Sequence, residues 1–198
     1  LSIKNNVQIN IITFDLSNNE EVFLGAKKIF NITKQIDVLV NNAGILFNAL
    51  FQMTSEKKLK EMFQVNFFSH VHLTQLISRE MVRNKKGNIL FISSTSAERN
   101  DYGRFAYSST KAAISSAARV LAKELGNYQI RVNAICPGLT ETDMTKLNTR
   151  DDFLKEEINR ISLKRIGKPN EIANVAVFLA SDLSSYISGQ NIVVDGGV

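Results

Sequence analysis

The chain has 198 residues, 44% of them hydrophobic and 22% charged, with a formal net charge of +5. This length fits one domain with a sizeable core, and the composition excludes a chain that is disordered throughout. The basic residues are scattered in short runs, so we expect no nucleic-acid interface. No apolar run approaches the roughly 18 residues that span a bilayer, so we expect no membrane segment. The single cysteine, Cys136, excludes a disulfide within the chain and fits a reducing, cytoplasmic location.

Short β-rich apolar runs alternate with longer stretches of helical periodicity along the chain. In chain order, the predicted elements are a strand over 7–14, a helix after Asp15, a strand over 36–41, a helix over about 55–82, a strand over 88–93, a helix over about 106–125, a strand over 130–136, a helix over about 169–180 and a strand over 191–195. This alternation predicts an α/β fold with a parallel sheet and helices on both faces. The strands are nearly continuously apolar, as is typical of strands covered on both faces.

Polar residues and glycines follow the predicted strands, at the edge of the sheet where ligands bind in such folds. They are Asp15, the segment 41–44, Ser93 and Ser94, the segment 137–138, and the segment 195–197. We therefore expect a ligand crevice at this edge.

Tyr107 and Lys111 lie four residues apart in a predicted helix, so their side chains share one face. Ser94 precedes Tyr107 by 13 residues and ends a predicted strand. A tyrosine can act as a general acid if its pKa falls from about 10, and a nearby ammonium lowers that pKa. Ser94 can bond a carbonyl or hydroxyl oxygen. The three residues suit proton transfer at an oxygen on carbon, coupled to hydride transfer by a nicotinamide cofactor, because no side chain supplies a hydride.

These residues and several other motifs resemble the classical type of the short-chain dehydrogenase/reductase family. The matching pieces occur in order over essentially the whole chain: 15–16, 39–44, 65–66, Ser94 with 107–111, 132–144 and 193–197. Each piece alone is weak evidence for the family, whereas the whole set at compatible spacing is specific to it. The resemblance implies a Rossmann-like doubly wound parallel sheet. It also implies an oxidoreductase that interconverts a carbonyl and a secondary alcohol with NADP(H) or NAD(H), with NADPH favoured.

The resemblance assigns a role to each matching residue. Tyr107 would be the catalytic acid/base, and Lys111 would hold the nicotinamide ribose and lower the pKa of Tyr107. Ser94 would bind the substrate oxygen, and Asn66 would hold a water of a proton relay. The cofactor would contact Tyr107, Lys111 and the loop residues Asp15, Leu16, Asn41, Asn42, Ala43, Gly44, Pro137, Gly138, Thr140 and Thr142. The segment 143–166 would be a mobile substrate lid.

Several of these residues also have a plainer interpretation. The pair at 41–42 could satisfy backbone groups at a turn, and Asp15 could be only a turn residue. Cys136 lies in an apolar strand and is expected to pack in the core. His70 and His72 are two residues apart on a predicted helix and face different ways, so we expect no metal site.

The glycine-rich turn that holds the cofactor pyrophosphate in this family is missing from the sequence. The first glycine is Gly25, inside a predicted helix. We therefore expect the run 7–14 to correspond to the family's third strand, with the first two of its seven strands absent, and 1–198 to be one N-terminally truncated domain. The run 7–14 would then lack a neighbour, the strand 36–41 would have an open edge, and cofactor binding would be weak.

Within the family, the segments 40–45, 141–144 and 167–197 are most similar to 3-oxoacyl-[acyl-carrier-protein] reductases of fatty acid biosynthesis. Lys85 and Lys86 could meet the acidic carrier, whereas Tyr128 stands where a basic residue is usual. One alternative is a sugar, polyol or other small-alcohol dehydrogenase of the same family. Another is a non-catalytic binding subunit, favoured by the absent glycine motif and opposed by the complete set of Asn66, Ser94, Tyr107 and Lys111. The resemblance also implies a homotetramer or a dimer.

Overall fold

One parallel sheet of four strands organises the computed structural model, which describes residues 7–99, 101–148 and 151–198, with 151–153 as backbone only. The strands lie in chain order in the sheet: β1 (Val38–Asn41), β2 (Gly87–Ile92), β3 (Ile130–Pro137) and β4 (Asn191–Val194). All three neighbouring pairs are parallel, so each connection must cross over the sheet, as the alternation of strands and helices predicts.

Helices connect the strands at the predicted places. Their bounds are α1 Asn19–Ile32, α2 Glu56–Phe63, α3 Ser69–Asn84, α4 Ser96–Arg99, α5 Phe105–Leu125, α6 Asp143–Asn148, α7 Asp151–Arg160 and α8 Pro169–Ala180. The helix predicted over 55–82 is not continuous, because a π-helical turn, Gln64–Phe68, separates α2 from α3. Such turns are often found at functional sites, and this one carries Asn66.

Both faces of the sheet are covered, as the apolar strands predict. Successive strand residues point to opposite faces, so Ile89 and Phe91 of β2 pack with α3 and α5 on one side. Leu90, between them, packs on the other side with Ile135 of β3 and with Leu179 of α8. The sequence-based expectation of a doubly covered parallel sheet is confirmed.

The strand predicted over 7–14 is wrong. Residues 7–15 have no strand pairing, and the side chain of Ile11 is 86% exposed. The nearest candidate partner, β1, is at the edge of the sheet and pairs with β2 within the described residues. A β-rich run forms a strand only where a neighbouring backbone takes its hydrogen bonds. Phe14 still packs on α1, where a Cβ added to Gly25 would lie 2.5 Å from its ring.

Arg131 of β3 ties the end of α8 to the sheet. Its guanidinium donates to the carbonyl oxygens of Leu179 at 2.7 Å, Ser181 at 3.2 Å and Ile187 at 3.1 Å. These carbonyls include groups that the end of a helix leaves without an intrahelical partner.

Replacing Arg131 by Met should therefore destabilise the fold, because the alkyl chain is kept while the carbonyls lose their donor. We expect the free energy of unfolding in urea to fall by about 2–3 kcal/mol. Arg79→Met, at an exposed position of α3, is the matched control and should change it by less than about 0.5 kcal/mol. Equal losses in the two variants would contradict this role for Arg131.

Candidate functional site

A cavity of about 720 Å³ opens at the carboxyl ends of β1, β2 and β3. Parallel strands bring their following residues to one edge, so segments far apart in the chain meet here. Ten of the residues predicted from the sequence line the cavity: Asn42, Ala43, Gly44, Ser94, Tyr107, Lys111, Pro137, Gly138, Thr140 and Thr142. The expected crevice is therefore present among the described residues.

Ser94, Tyr107 and Lys111 are buried side by side in the wall of this cavity. The Ser94 hydroxyl lies near enough to the Tyr107 phenol to act on its pKa, and it accepts the Ser96 N–H at 3.1 Å. The Lys111 ammonium lies 5.7 Å from the centre of the Tyr107 ring and donates to the carbonyl oxygen of Ile92 at 2.8 Å. The four-residue spacing on α5 and the end of β2 thus place a hydroxyl, a phenol and an ammonium together.

The pKa of Tyr107 moves in the direction opposite to the expected one. Burial is the largest influence and raises the pKa of the phenol, while the nearby Ser94 side chain and the charge of Arg104 act to lower it. The Lys111 ammonium is held by a carbonyl oxygen instead of by the phenol. Lys111 is not among the influences on the pKa of the phenol in this geometry, and its lowering of the Tyr107 pKa stays a prediction.

Lys111 is only 3% exposed, and burial lowers the pKa of its ammonium to about 8. The Cys136 thiol, itself buried, acts in the opposite direction. The cause is the loss of water around the charged form, for which a single carbonyl oxygen compensates in part.

Asn66 lies beneath the cavity wall and does not line the cavity. Its Oδ1 accepts the Ile45 N–H at 2.8 Å, and its Nδ2 donates to the Ile45 carbonyl at 2.9 Å and to Thr110 Oγ1 at 3.2 Å. The side chain therefore pairs with the backbone as a neighbouring strand would. A Cβ added to Gly44 would lie 3.3 Å from Asn66 Oδ1 and 3.6 Å from Lys111 Nζ, so the chain must pass closely between them. The water-relay role of Asn66 stays a prediction.

Three other predicted residues lie outside the cavity wall. Asn41 is buried and donates from Nδ2 to Thr74 Oγ1 at 2.9 Å. The Asp15 carboxylate accepts the Ser17 N–H and hydroxyl, which lower its pKa, and the Leu16 carbonyl accepts the Ser69 hydroxyl. The structure thus gives Asp15 the geometry of a turn residue, which is the plainer interpretation.

Hydrogen bonds within the loop after β3 fix its threonine side chains. Gly138 approaches β4 so closely that an added Cβ would lie 2.6 Å from Asp195 Cβ. Thr140 Oγ1 donates to the Gly138 carbonyl at 3.0 Å, and the Thr140 carbonyl accepts the Thr145 hydroxyl at 2.7 Å. The conformation of this loop is therefore held by contacts within the chain.

The sequence analysis missed a cluster of charged residues in the wall of the cavity. Arg99 Nη2 donates to Glu157 Oε2 at 3.2 Å, and Asp101 lies 3.8 Å from Arg99 and 4.0 Å from Arg104. All four side chains line the cavity. Three of them lie between Ser94 and Tyr107 in the chain. The charged residues of this interval were the sequence signal for the cluster.

The cluster also involves the predicted lid. Glu157 belongs to α7, and Met144 of α6 lines the same cavity, so the segment 143–166 borders the site. Its mobility stays a prediction, and residues 149–150 lie outside the described residues.

No group of three or more His, Cys, Asp or Glu side chains within the described ranges could hold a metal ion. Over those same ranges, the longest apolar helices fall short of what a membrane span requires. The cavity fits the nicotinamide half of a dinucleotide, because it combines a buried ammonium with loops that pass closely at Gly44 and Gly138.

Comparison with known proteins places the chain among reductases. The sequence profile of a family described as "Enoyl-(Acyl carrier protein) reductase" matches residues 2–198. The 3-oxoacyl-[acyl-carrier-protein] reductase FabG of Chlamydia trachomatis is 38% identical over 198 residues, which are 100% of this chain and 79% of that protein. The 7alpha-hydroxysteroid dehydrogenase of Escherichia coli K12 is 38% identical over 185 residues, 92% of this chain and 71% of that protein.

Solved structures agree with this grouping. A 7α-hydroxysteroid dehydrogenase complexed with NADH and 7-oxo glycochenodeoxycholic acid superposes with a TM-score of 0.89 at 36% identity, covering 93% of this chain and 72% of that one. A protein described as an NAD(P) dependent gluconate 5-dehydrogenase from Beutenbergia cavernae, with bound NADP at low occupancy, gives a TM-score of 0.93 at 31% identity, covering 98% and 78%.

Replacing Lys111 by Met should stabilise the protein at neutral pH, because it removes a buried charge and keeps the length of the side chain. We expect the free energy of unfolding at pH 7 to rise by about 1–3 kcal/mol. The unfolded chain holds the Lys111 proton more tightly than the native state does. The native protein should therefore gain stability as the pH rises from about 8 to 10.5, and the variant should lose that slope.

The control is Lys123→Met, an exposed position on the same helix, which should leave both the stability and its pH slope unchanged. Urea unfolding at several pH values measures both quantities. A loss of stability in Lys111→Met would show that the ammonium contributes more through Ile92 than its burial costs.

Proposed function

The chain belongs to the short-chain dehydrogenase/reductase family of oxidoreductases, and we propose that it interconverts a carbonyl and a secondary alcohol with a nicotinamide dinucleotide. One observation carries the proposal: the buried side chains of Ser94, Tyr107 and Lys111 share one cavity wall. A bound nicotinamide would supply or accept the hydride.

Each side chain has one task in this proposal. The buried phenol of Tyr107 keeps its proton and would donate it to the substrate carbonyl oxygen during reduction. The Ser94 oxygen accepts the Ser96 N–H, and its hydroxyl hydrogen would be donated to the same carbonyl oxygen once a substrate binds. Lys111 would favour the phenolate that this transfer leaves behind.

The cofactor would be held along the ends of β1 and β3. The segments 42–44 and 137–142, together with Lys111, border one side of the cavity and would contact the nicotinamide and its ribose. Asn41 and Asn66 would support these loops from below. We propose NADPH as the preferred form, in keeping with a reductive direction.

For the substrate, we propose a 3-oxoacyl group carried by the acyl carrier protein. The support is the set of relatives named as such reductases at up to 38% identity. Lys85 and Lys86 give little support, since they precede β2 at the end of the sheet opposite to the cavity, and Lys86 pairs with Asp37 at 3.3 Å.

A second candidate is a small polar alcohol, such as a sugar acid or polyol. The charged cluster in the cavity wall favours such a substrate, because ion pairs are a poor lining for an acyl chain. It comprises Arg99, Asp101, Arg104 and Glu157. The similarity to a protein described as a gluconate 5-dehydrogenase points the same way.

The test is hydride transfer by the full chain, followed through the absorbance of NADPH and NADH. The substrates are acetoacetyl-acyl-carrier protein and 5-keto-gluconate. Tyr107→Phe should lower turnover by at least about 100-fold. The same variant should leave dinucleotide affinity within about twofold, since a single hydroxyl changes.

Tyr102→Phe is the matched control, because this tyrosine, which precedes α5, is 89% exposed and should keep full activity. Substantial turnover by Tyr107→Phe would sink the acid/base assignment. Failure of the native chain to bind either dinucleotide or to turn over either substrate would support a non-catalytic binding subunit instead.

We further propose that the protein assembles through the outer face of α5 as a dimer or tetramer. Ala112, Ser116 and Val120 are exposed there at four-residue spacing, and small residues permit close helix approach. Light scattering on the full chain should give a multiple of 22.1 kDa, and Ser116→Arg should reduce it to the monomer mass. A monomer mass for the native chain would contradict the proposal.

A further inference from the structure

The charged cluster in the cavity wall holds two arginines whose contacts with carboxylates differ. Arg99 lies between two carboxylates: its Nη2 donates to Glu157 Oε2 at 3.2 Å, and its Nε lies 3.8 Å from Asp101 Oδ1. Glu157 also accepts a hydrogen bond from Arg160 Nη1, at 2.7 Å, on its other oxygen. The charge of Arg99 is therefore compensated within the chain, and both oxygens of Glu157 already have an arginine donor.

Arg104 is paired more weakly. Its Nη1 lies 4.0 Å from Asp101 Oδ2, which is beyond hydrogen-bond length, and donates instead to Ser96 Oγ at 3.3 Å. Asp101 takes its short hydrogen bond from the Ser96 hydroxyl, at 2.9 Å. A guanidinium carries several N–H donors in a planar fork, and only one of those of Arg104 has an acceptor among the described residues. Its side chain is 20% exposed, so water compensates the charge only in part.

Arg104 also lies close to the groups that we propose to react. It lines the same cavity as Tyr107, and its charge acts on the pKa of that phenol. The buried Ser96 gives a second measure, because its N–H donates to Ser94 Oγ at 3.1 Å while its hydroxyl accepts Arg104 Nη1. Arg104 Nη1 therefore lies within about 10 Å of Ser94 Oγ. One molecule of roughly four to six carbons can place an oxygen at each of them.

We propose that Arg104 determines the specificity of the site by binding a carboxylate of the substrate, which is then a short hydroxy acid or its keto form, such as a sugar acid. A carboxylate can accept two parallel hydrogen bonds from the planar fork of an arginine, whereas a thioester or a hydroxymethyl group cannot. The inference deepens the second candidate above, and it rests on the proposed function in that hydride transfer takes place in this cavity.

The two acidic residues of the cluster make this choice sharper. Asp101 and Glu157 line the same cavity, so a substrate carboxylate that is not held by an arginine meets like charges there. The oxygens of these acids can accept hydrogen bonds from hydroxyl groups of a neutral substrate. Loss of the charge of Arg104 should therefore turn the preference of the site away from an acid and toward a neutral polyol.

Two open-chain alcohols that differ only at the proposed contact test the native preference. D-gluconate has a carboxylate where D-glucitol has a hydroxymethyl group, and both carry secondary alcohols that can lose a hydride to the oxidised dinucleotide and a proton to solvent. With the full chain and NADP+ or NAD+, we expect kcat/KM for gluconate to exceed that for glucitol by at least about 10-fold, because hydrogen bonds to a charged group are the stronger ones. A smaller preference, or none, would overturn the proposal.

A charge-removing variant tests the residue itself. Arg104→Gln should lower kcat/KM for gluconate by at least about 10-fold and that for glucitol by less than about threefold, because only the acid loses its partner. Arg79→Gln, at an exposed position of α3, is the matched control and should change neither value. Equal losses for the two substrates in Arg104→Gln would overturn the proposal, because a merely structural role does not distinguish an acid from a polyol.

The outcomes separate this inference from the proposed function. Turnover of acetoacetyl-acyl-carrier protein, without turnover of gluconate or 5-keto-gluconate, would support hydride transfer and overturn the inference. If the native chain transfers no hydride with any of these substrates, the proposed function fails, and titration calorimetry with gluconate decides the inference. Gluconate binding that Arg104→Gln weakens by at least about 10-fold would then support the carboxylate contact. Absent binding, or a smaller loss in the variant, would overturn it.

Discussion

The buried ammonium of Lys111 is the constraint around which the site is built. A charge with so little access to water must be compensated, and the carbonyl oxygen at the end of β2 provides part of that compensation. Gly44 passes close to the ammonium, because an added Cβ would lie 3.6 Å from Lys111 Nζ and a tight 3.3 Å from Asn66 Oδ1. The remaining cost appears as the lowered pKa of Lys111, a cost in stability that a site can carry when the charge serves a reaction.

The loop after β1 is held in place beside Lys111 by Asn66. It has no strand to pair with beyond Asn41, and Asn66 replaces such a strand by bonding both backbone groups of Ile45. The π turn brings Asn66 to this place. The interrupted helix, the glycine and the ammonium are therefore parts of one arrangement, which explains why an uncommon helical turn is kept in the middle of a long helix.

The charged residues in the cavity wall are held by ion pairs. Arg99 and Arg104 pair with Asp101 and Glu157, and these pairs connect the loop that follows Ser94 to α7. Such pairs orient polar substrates and contribute little to stability where they remain in contact with water. Under the proposed function, Ser94, Tyr107 and Lys111 would serve the reaction, and the charged cluster would select the substrate.

Much of the fold could be read from local patterns. The apolar runs at 88–93 and 130–136 and the periodicity around Tyr107 predicted β2, β3 and α5 closely, because each is long and its pattern agrees with its final burial. The run 7–14 has the same local character and is not a strand, since pairing is a property of the neighbour. The break at Gln64–Phe68 was also invisible, because a π turn needs no special residue type.

The sequence by itself determined the residue types of the site and their order: a serine after one strand, a tyrosine and a lysine one turn apart, and glycines where chains pass closely. Covalent spacing and helix geometry were sufficient for that. Tertiary structure alone decided the sign of the pKa shift of Tyr107 and the anchoring role of Asn66. These properties depend on distances to groups far away in the chain and on the exclusion of water, neither of which spacing along a sequence contains.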